Sequence, residues 1–222
     1  MDKILIIGAS GHAKVIIETV ELNRNYQIYG LIDSFKTKGS KVFGHEIIGD
    51  ENCILDLFDK GVNKGIIAIG DNWDRYLMYK KIIELVPDFE FISVIHPSSV
   101  ISPSVTIGAG TVILASVTVN ADARINNFCI LNTGCNFGHD SSLSDFSSLA
   151  PGVSVGGNVN IGKCTAIFLG ANIIQNINIG MHSAIGAGSL IIDNVEDFKL
   201  YYGVPGKEIR VIKKGEIFLR KR

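Results

Sequence analysis

From Ile95 to Ile191 every sixth residue is aliphatic or Phe, seventeen positions in succession that include Ile101, Val119, Phe137, Leu149, Ile167 and Ile185. The position two before each is small or β-branched, as at Ser93, Val105, Cys129, Cys135, Ser147, Ala171 and Ser189. Neither the 3.6-residue period of a helix nor the two-residue alternation of an ordinary strand gives this spacing. Glycine follows the large residue at Gly108, Gly138, Gly156, Gly162, Gly180 and Gly186. The pattern predicts short strands wound round a prism, each hexapeptide making one strand and one corner, with the large residues stacked inside.

This hexapeptide repeat resembles the left-handed parallel β-helix, in which three hexapeptides make a coil; the handedness is what the resemblance implies. Seventeen repeats make between five and six coils, a prism roughly 25–30 Å tall at the usual spacing between strands. Cys129 and Cys135 fall on small inward positions, so they are assigned to the core and given no chemistry. Phe137 is the one bulky aromatic in the ladder.

The first ninety residues follow another pattern. Lys3 to Ile7 is a continuous apolar run, Gly8-Ala9-Ser10-Gly11-His12 reads as a turn, and Ala13 to Leu22 has helical spacing. Ile28 to Ile32 is a second strand ending at Asp33; Gly65 to Gly70 is a third, followed by Asp71-Asn72 and a helix from about Asp74 to Val86. This is a Rossmann-like βαβ unit, whose helix N-terminus offers free N–H groups to an anion. An acidic residue ending the second strand can bond a ribose. Ser10 and Ala13 replace the second and third glycines of the dinucleotide fingerprint, which favours a smaller nucleotide over NAD. The expected organisation is therefore an α/β nucleotide-sugar-binding domain over residues 1–92, an all-β prism over 93–195 and a basic C-terminal tail over 196–222.

Charge sharpens this division. Residues 96–195 carry 2 basic and 4 acidic side chains, against 11 and 14 in residues 1–95 and 8 and 4 in residues 196–222. So uncharged a segment is expected to pack against copies of itself, because an ordinary domain has about 25% charged residues. The formal net charge of −1 lacks the basic footprint that nucleic acid or an acidic membrane surface requires. No run approaches 18 apolar residues, and Met1-Asp2-Lys3 leads into a strand rather than a cleavable signal, so no membrane insertion and a cytoplasmic location are expected. Four cysteines without CxxC spacing suit neither a disulfide framework nor a structural zinc site.

A short nucleotide-type domain ahead of a hexapeptide prism is similar to the bacterial sugar O- and N-acetyltransferases of the sialic-acid and bacillosamine type. The resemblance covers nearly the whole chain and is carried by Gly8-Ala9-Ser10-Gly11-His12, Asp33, Ala68-Ile69-Gly70-Asp71-Asn72, His96-Pro97-Ser98, Asn132-Thr133-Gly134, His139-Asp140 and Gly203-Val204-Pro205-Gly206-Lys207. It implies acetyl-CoA as co-substrate, no metal, a homotrimer, and a catalytic histidine where neighbouring prisms meet. His139 is then the general base, suited to neutral pH by an imidazole pKa of about 6.5, and Asp140 would orient it. A direct sequence neighbour is poorly placed to reach the ring, so the role of Asp140 stays open at this point. The resemblance implies the Gly157 backbone N–H, one coil on, as oxyanion donor and Asn132 near the reacting group. It places Ser148, Gly157, Leu169 and Ala187 along coenzyme A. The basic chain end, with Lys207, Arg210, Lys213 and Lys214, is expected to suit the 3′-phosphate of that coenzyme. Ser10, Gly11, His12, Asp33, Ser34, Asp71 and Asn72 are expected to hold the nucleotide-linked acceptor. His45 in a hairpin loop, His96 before Pro97 at the first coil and His182 at a prism corner are read as structural.

The implied reaction is N-acetylation of a nucleotide-linked 4-amino sugar for surface glycans. O-acetylation of a sialic acid is the alternative, since amine and hydroxyl acceptors need the same base; a non-catalytic trimeric scaffold is a third. A prism-shaped zinc hydratase is excluded, because it needs a second histidine five residues beyond His139, where Ser144 stands.

Overall fold

A computed structural model describes residues 1–216. The N-terminal part is built on a sheet of β1 (Asp2–Ile7), β2 (Tyr26–Ile32), β3 (Lys41–Val42), β4 (His45–Gly49), β5 (Lys64–Ile67) and β6 (Glu90–Phe91), in the order β3-β4-β2-β1-β5-β6. Only β3 runs antiparallel, in a hairpin with β4. Consecutive apolar residues make β1 buried on both faces. Ile4 and Ile6 meet α1 (Gly11–Asn23), while Leu5 and Ile7 meet α2 (Ile54–Phe58) and α3 (Asn72–Leu85). The expected strands and helices are present with shifted ends, and the hairpin loop expected at His45 is the β3–β4 turn at Phe43-Gly44, with His45 opening β4; α2 had no clear signal in the sequence.

From Val94 the chain makes seventeen two-residue strands, β7 (Val94–Ile95) to β23 (Leu190–Ile191), and each large position of the sixfold pattern is the second residue of a strand. Strands pair in parallel with those 18 residues away, as Phe137 with Val119 and Val155, producing three faces. The first face contains Ile130–Leu131 and Ser148–Leu149, the second Asn136–Phe137 and Ser154–Val155, the third Ser142–Leu143 and Asn160–Ile161. Phe137 is fully buried and fills the core.

Each corner places one residue in the left-handed region, φ 52–69°, every six residues from Gly110 to Gly188. Outside glycine this conformation costs of order 1 kcal/mol, and here a hydrogen bond accompanies it: Asp140 N donates to Ala121 O at 3.0 Å and Phe146 N to Asn127 O at 2.9 Å. Three edges result. The first carries Phe128, Phe146, Cys164 and His182; the second Gly134, Gly152, Gly170 and Gly188; the third Asp122, Asp140, Asn158 and Asn176.

Inside the first edge, hydroxyls bridge successive coils. Ser147 Oγ donates to Gly162 O and accepts from Thr165 N, and Thr165 Oγ1 repeats this with Gly180 O and Ser183 N. Cys129 takes one place in this ladder, its thiol 3.2 Å from Ser144 O. Burial pushes the Cys129 and Cys135 thiols up to about 12, so both are inert core residues.

The N-terminal domain packs on the first face of the prism through α1 and on the first edge through α3. Tyr76 and Tyr79 of α3 pack on Phe146 and Phe128, which stack on each other at 4.8 Å. Arg75, 1% exposed, donates to the carbonyls of Phe128 and Phe146 across the junction and to those of Ile69 and Gly70 behind it. A buried cation without such acceptors would be strongly unfavourable.

The basic C-terminal stretch extends the first face. β24 (Lys199–Gly203) pairs in parallel with Ala184–Ile185, and β25 (Gly206–Val211) returns antiparallel to β24. It is therefore a docked hairpin through Val211 rather than a free tail; residues 217–222 of the expected tail lie outside the described residues.

Candidate active site

His139 stands on the third edge, exposed, immediately before left-handed Asp140. That backbone turn folds the carboxylate back over its neighbour, and Asp140 Oδ2 lies 2.7 Å from His139 Nδ1. The sequence separation that argued against contact is overcome by the positive φ. With Nδ1–H donated to Asp140, Nε2 is left as the acceptor, the tautomer a general base needs.

Gly157 lies one coil on. A Cβ there would sit 2.5 Å from His139 Nε2, so only glycine leaves room for the ring. Gly157 O accepts from Asn176 N and His139 O from Asn158 N. The Gly157 N–H has no acceptor among the described residues. An imidazole nitrogen and an unpaired backbone donor therefore share one edge, the pairing that acyl transfer requires.

Asn132 lies on the second edge, separated from His139 by the strand Asn136–Phe137, and its Oδ1 accepts from Thr133 N at 2.9 Å. One chain does not bring the two together. Leu169 and Ala187 follow on the same second edge, one coil apart and exposed, beside bare corners at Gly170 and Gly188 where a Cβ would meet nothing. Ser148 is elsewhere. It is on the first face, in a small cavity with Asp71, Asn72, Trp73, His182 and Lys213. Lys207 is exposed on β25.

The acceptor residues divide as well. A cleft of about 620 Å³ opens at the carboxyl ends of β1, β2, β4 and β5, lined by Gly8, Ala9, Ser10, Asp33, Ser34 and, from α3, Leu77 and Met78. Gly8, at φ +110°, packs so closely on Ala68 O that a Cβ would lie 2.9 Å away. Asp33 fixes the turn, accepting from Ala9 N through Oδ2 and from Phe35 N and Lys36 N through Oδ1. Ser10 is the N-cap of α1 yet makes no side-chain cap, and the first turn holds no acidic residue; its N–H groups, with exposed Gly11, face the cleft end unneutralised.

Asp71 and Asn72 are not in this cleft, contrary to expectation. Asp71 caps α3 by accepting from Trp73 N and Asp74 N, which closes that N-terminus to an anion. Asn72 is buried, donating to Thr165 O and accepting from Arg75 Nη2, a tie between domains. His12 does not line the cleft either: its Nε2 is buried without a partner, and burial, with the Arg75 charge, pulls the imidazole down to about 4. His182 packs between Trp73 and Phe198, in keeping with a structural role.

Sequence reading missed Glu51 and Lys81 in the cleft wall. Glu51, 8% exposed, follows β4 and bonds both Lys81 Nζ and Ser34 Oγ. Burial pushes its carboxyl up, and the Lys81 and Ser34 bonds outweigh this to leave it below its ordinary value. The sequence marks a hairpin loop at His45 but not that its second strand docks beside β2 and carries Glu51 to the cleft. Arg75 was also missed, although Phe128 and Phe146, 18 residues apart, hint at a packed edge.

Among the described residues no group of three or more His, Cys, Asp or Glu side chains forms a metal site, and no helix is long and apolar enough to cross a membrane.

Residues 3–82 match the family described as the PglD N-terminal domain. No curated protein matches the sequence. PerB from Caulobacter crescentus, solved with CoA and GDP-perosamine, is 32% identical over 95% of this chain and 98% of that one, with a TM-score of 0.89. A histidine-to-asparagine form of the same organism's perosamine N-acetyltransferase, also solved with CoA and GDP-perosamine, superposes with a TM-score of 0.90 at 32% identity, over 95% and 98% of the two chains. The acetyltransferase domain of PglB from Neisseria gonorrhoeae, solved with acetyl coenzyme A, is 31% identical over 93% of this chain and 98% of that one, TM-score 0.86. With a Rossmann-like sheet, a left-handed parallel β-helix and this identity along nearly its whole length, the chain belongs to the hexapeptide-repeat sugar acetyltransferases.

Proposed function

We propose that the protein transfers the acetyl group of acetyl-CoA to the amine of a nucleotide-linked amino sugar. The observation that carries this reading is the His139–Asp140 pair set against Gly157 on the next coil. The amine nitrogen attacks the thioester carbonyl carbon while His139 Nε2 accepts its proton. The negative charge on the carbonyl oxygen is met by the Gly157 N–H. Collapse breaks the C–S bond, and the proton held on His139 goes to the departing sulfur. Asp140 holds the ring and stabilises its protonated form. The relatives solved with CoA and GDP-perosamine support both substrate classes.

The active unit is a homotrimer. In one chain the cleft belongs to the domain covering the first face and edge, while His139 stands on the third and Asn132, Leu169 and Ala187 on the second. A neighbouring copy is needed to bring a sugar held in the cleft to His139, and the nearly uncharged prism suits such packing. Coenzyme A runs along the second edge, where the N–H groups of Leu169 and Ala187 have no backbone acceptor among the described residues. Lys207 and its basic neighbours meet its phosphates. Four free thiols suit a cytoplasmic enzyme.

A thiol-release assay with acetyl-CoA tests this against UDP-, dTDP- and GDP-linked 4-amino sugars and against free and CMP-linked sialic acid. Release with a nucleotide amino sugar, lost in His139→Ala, is the expected result. Release with sialic acids alone moves the acceptor to a hydroxyl; silence across the panel from a folded protein removes the reading.

A further inference from the structure

We propose that Glu51 and Lys81 read the base of the nucleotide, and that the base is guanine. The inference rests on the reading of the cleft as the nucleotide site.

The sheet sets the direction in which a nucleotide lies. The turn Gly8-Ala9-Ser10 after β1 precedes an uncapped helix N-terminus, which is the anion-binding end. Asp33 ends β2, next in the sheet, and Glu51 follows β4, the strand beyond it. Phosphate, sugar and base then fall in order across three neighbouring strand ends, outside the carboxyl edge of the sheet. The cleft volume of about 620 Å³ accommodates a nucleotide. Leu77 and Met78 of α3 wall the base end, and Phe35, 97% exposed, stands at the mouth where a base can stack.

Lys81 and Glu51 form an ion pair, so the pair carries no net charge to hold a phosphate. What it offers is a pattern: an ammonium donor beside a carboxylate acceptor. Glu51 accepts one bond from Ser34 Oγ and one from Lys81 Nζ, which leaves lone pairs on both oxygens. Guanine presents the O6 acceptor next to the N1–H and N2–H donors, matching ammonium and carboxylate in sequence. Uracil and thymine present a single N–H between two carbonyl oxygens, so a carboxylate meets one donor and two repelling acceptors. Adenine and cytosine supply one amine beside a ring acceptor and forgo a bond.

Isothermal titration with GDP, ADP, CDP, UDP and dTDP tests the proposal without any transfer step. GDP is expected to bind at least about tenfold more tightly than the other four, the discrimination of one good bidentate contact. Glu51→Gln is expected to weaken GDP at least about tenfold while changing UDP less than about threefold. Lys81→Met, which leaves the carboxylate in place, provides a second arm should Glu51→Gln not fold, and is expected to lower GDP affinity selectively. UDP or dTDP binding as tightly as GDP, or variants that weaken all five alike, would overturn the assignment. The two readings fail separately. Selective GDP binding with no acetyl transfer to any amino sugar removes the transferase reading and leaves this one standing. Transfer to a UDP-linked sugar by a protein that ignores GDP does the reverse.

Discussion

Asp140 Oδ2 lies 2.7 Å from His139 Nδ1 although the residues are adjacent in sequence, because Asp140 occupies the left-handed region at φ 58°. In an extended strand successive side chains point to opposite sides. The corner of the prism removes that constraint and makes a His-Asp pair from two consecutive residues.

His139→Ala is expected to leave thermal unfolding unchanged and lower kcat/KM by about 10²–10⁴-fold, the usual worth of a proton-transferring group. Activity above a tenth of wild type would end its assignment as the base. Asp140→Asn is expected to cost less, about tenfold, since both side chains are more than half exposed and water competes for the contact. Steady-state kinetics on both variants compares the two losses.

Gly157→Ala places a methyl 2.5 Å from His139 Nε2. The ring must move from the edge while the coil stays paired. The expected outcome is a kcat reduced about a hundredfold with KM for acetyl-CoA changed less than threefold, the size of a lost oriented base or oxyanion donor. An active Gly157→Ala enzyme would show that the ring does not work in this position.

Arg75 joins α3 to the first edge through the carbonyls of Phe128 and Phe146. Arg75→Ala strands several buried carbonyls and Asn72 Oδ1, at about 1–3 kcal/mol for each unsatisfied group. An overall loss of about 3 kcal/mol corresponds to a fall in Tm of about 6–12 °C for a chain of this size. Calorimetry is expected to show that fall; an unchanged Tm would mean that the aromatic contacts alone hold the junction.

His12 gives the pH dependence. Its folded pKa, about 4, lies below the ordinary 6.5, so between those values the unfolded chain binds a proton that the folded one does not. Stability is then full above pH 6.5 and is lost as pH falls towards 4, by about 2–3 kcal/mol across the window. Denaturant unfolding at pH 7.5, 6 and 5 is expected to follow this slope, and His12→Phe to flatten it. A variant with the wild-type slope would place the titration elsewhere.

The sequence by itself determined the prism, because the rule that makes it is local: one large inward residue every six, repeated seventeen times, calls for short strands wound round a core, although not for the hand of the winding. It also determined the pairing of His139 with Gly157, since a coil of 18 residues brings them together wherever the prism lies. The N-terminal strands were legible for a similar reason, as runs of apolar residues around a Gly turn. Asp71, Asn72 and Ser148 were misplaced relative to the acceptor and coenzyme readings because their surroundings are set by distant partners. Asn72 bonds Thr165, 93 residues away, and Ser148 is enclosed by Asn72 and Lys213. Arg75 reaches Phe128 and Phe146, 53 and 71 residues on. Glu51 and Lys81 became neighbours only when β4 docked beside β2 and α3 crossed the same sheet face. Residues related by the repeat were fixed by spacing along the chain; those at the junction of sheet and prism were fixed by which surfaces could exclude water together, and only the tertiary structure decided that.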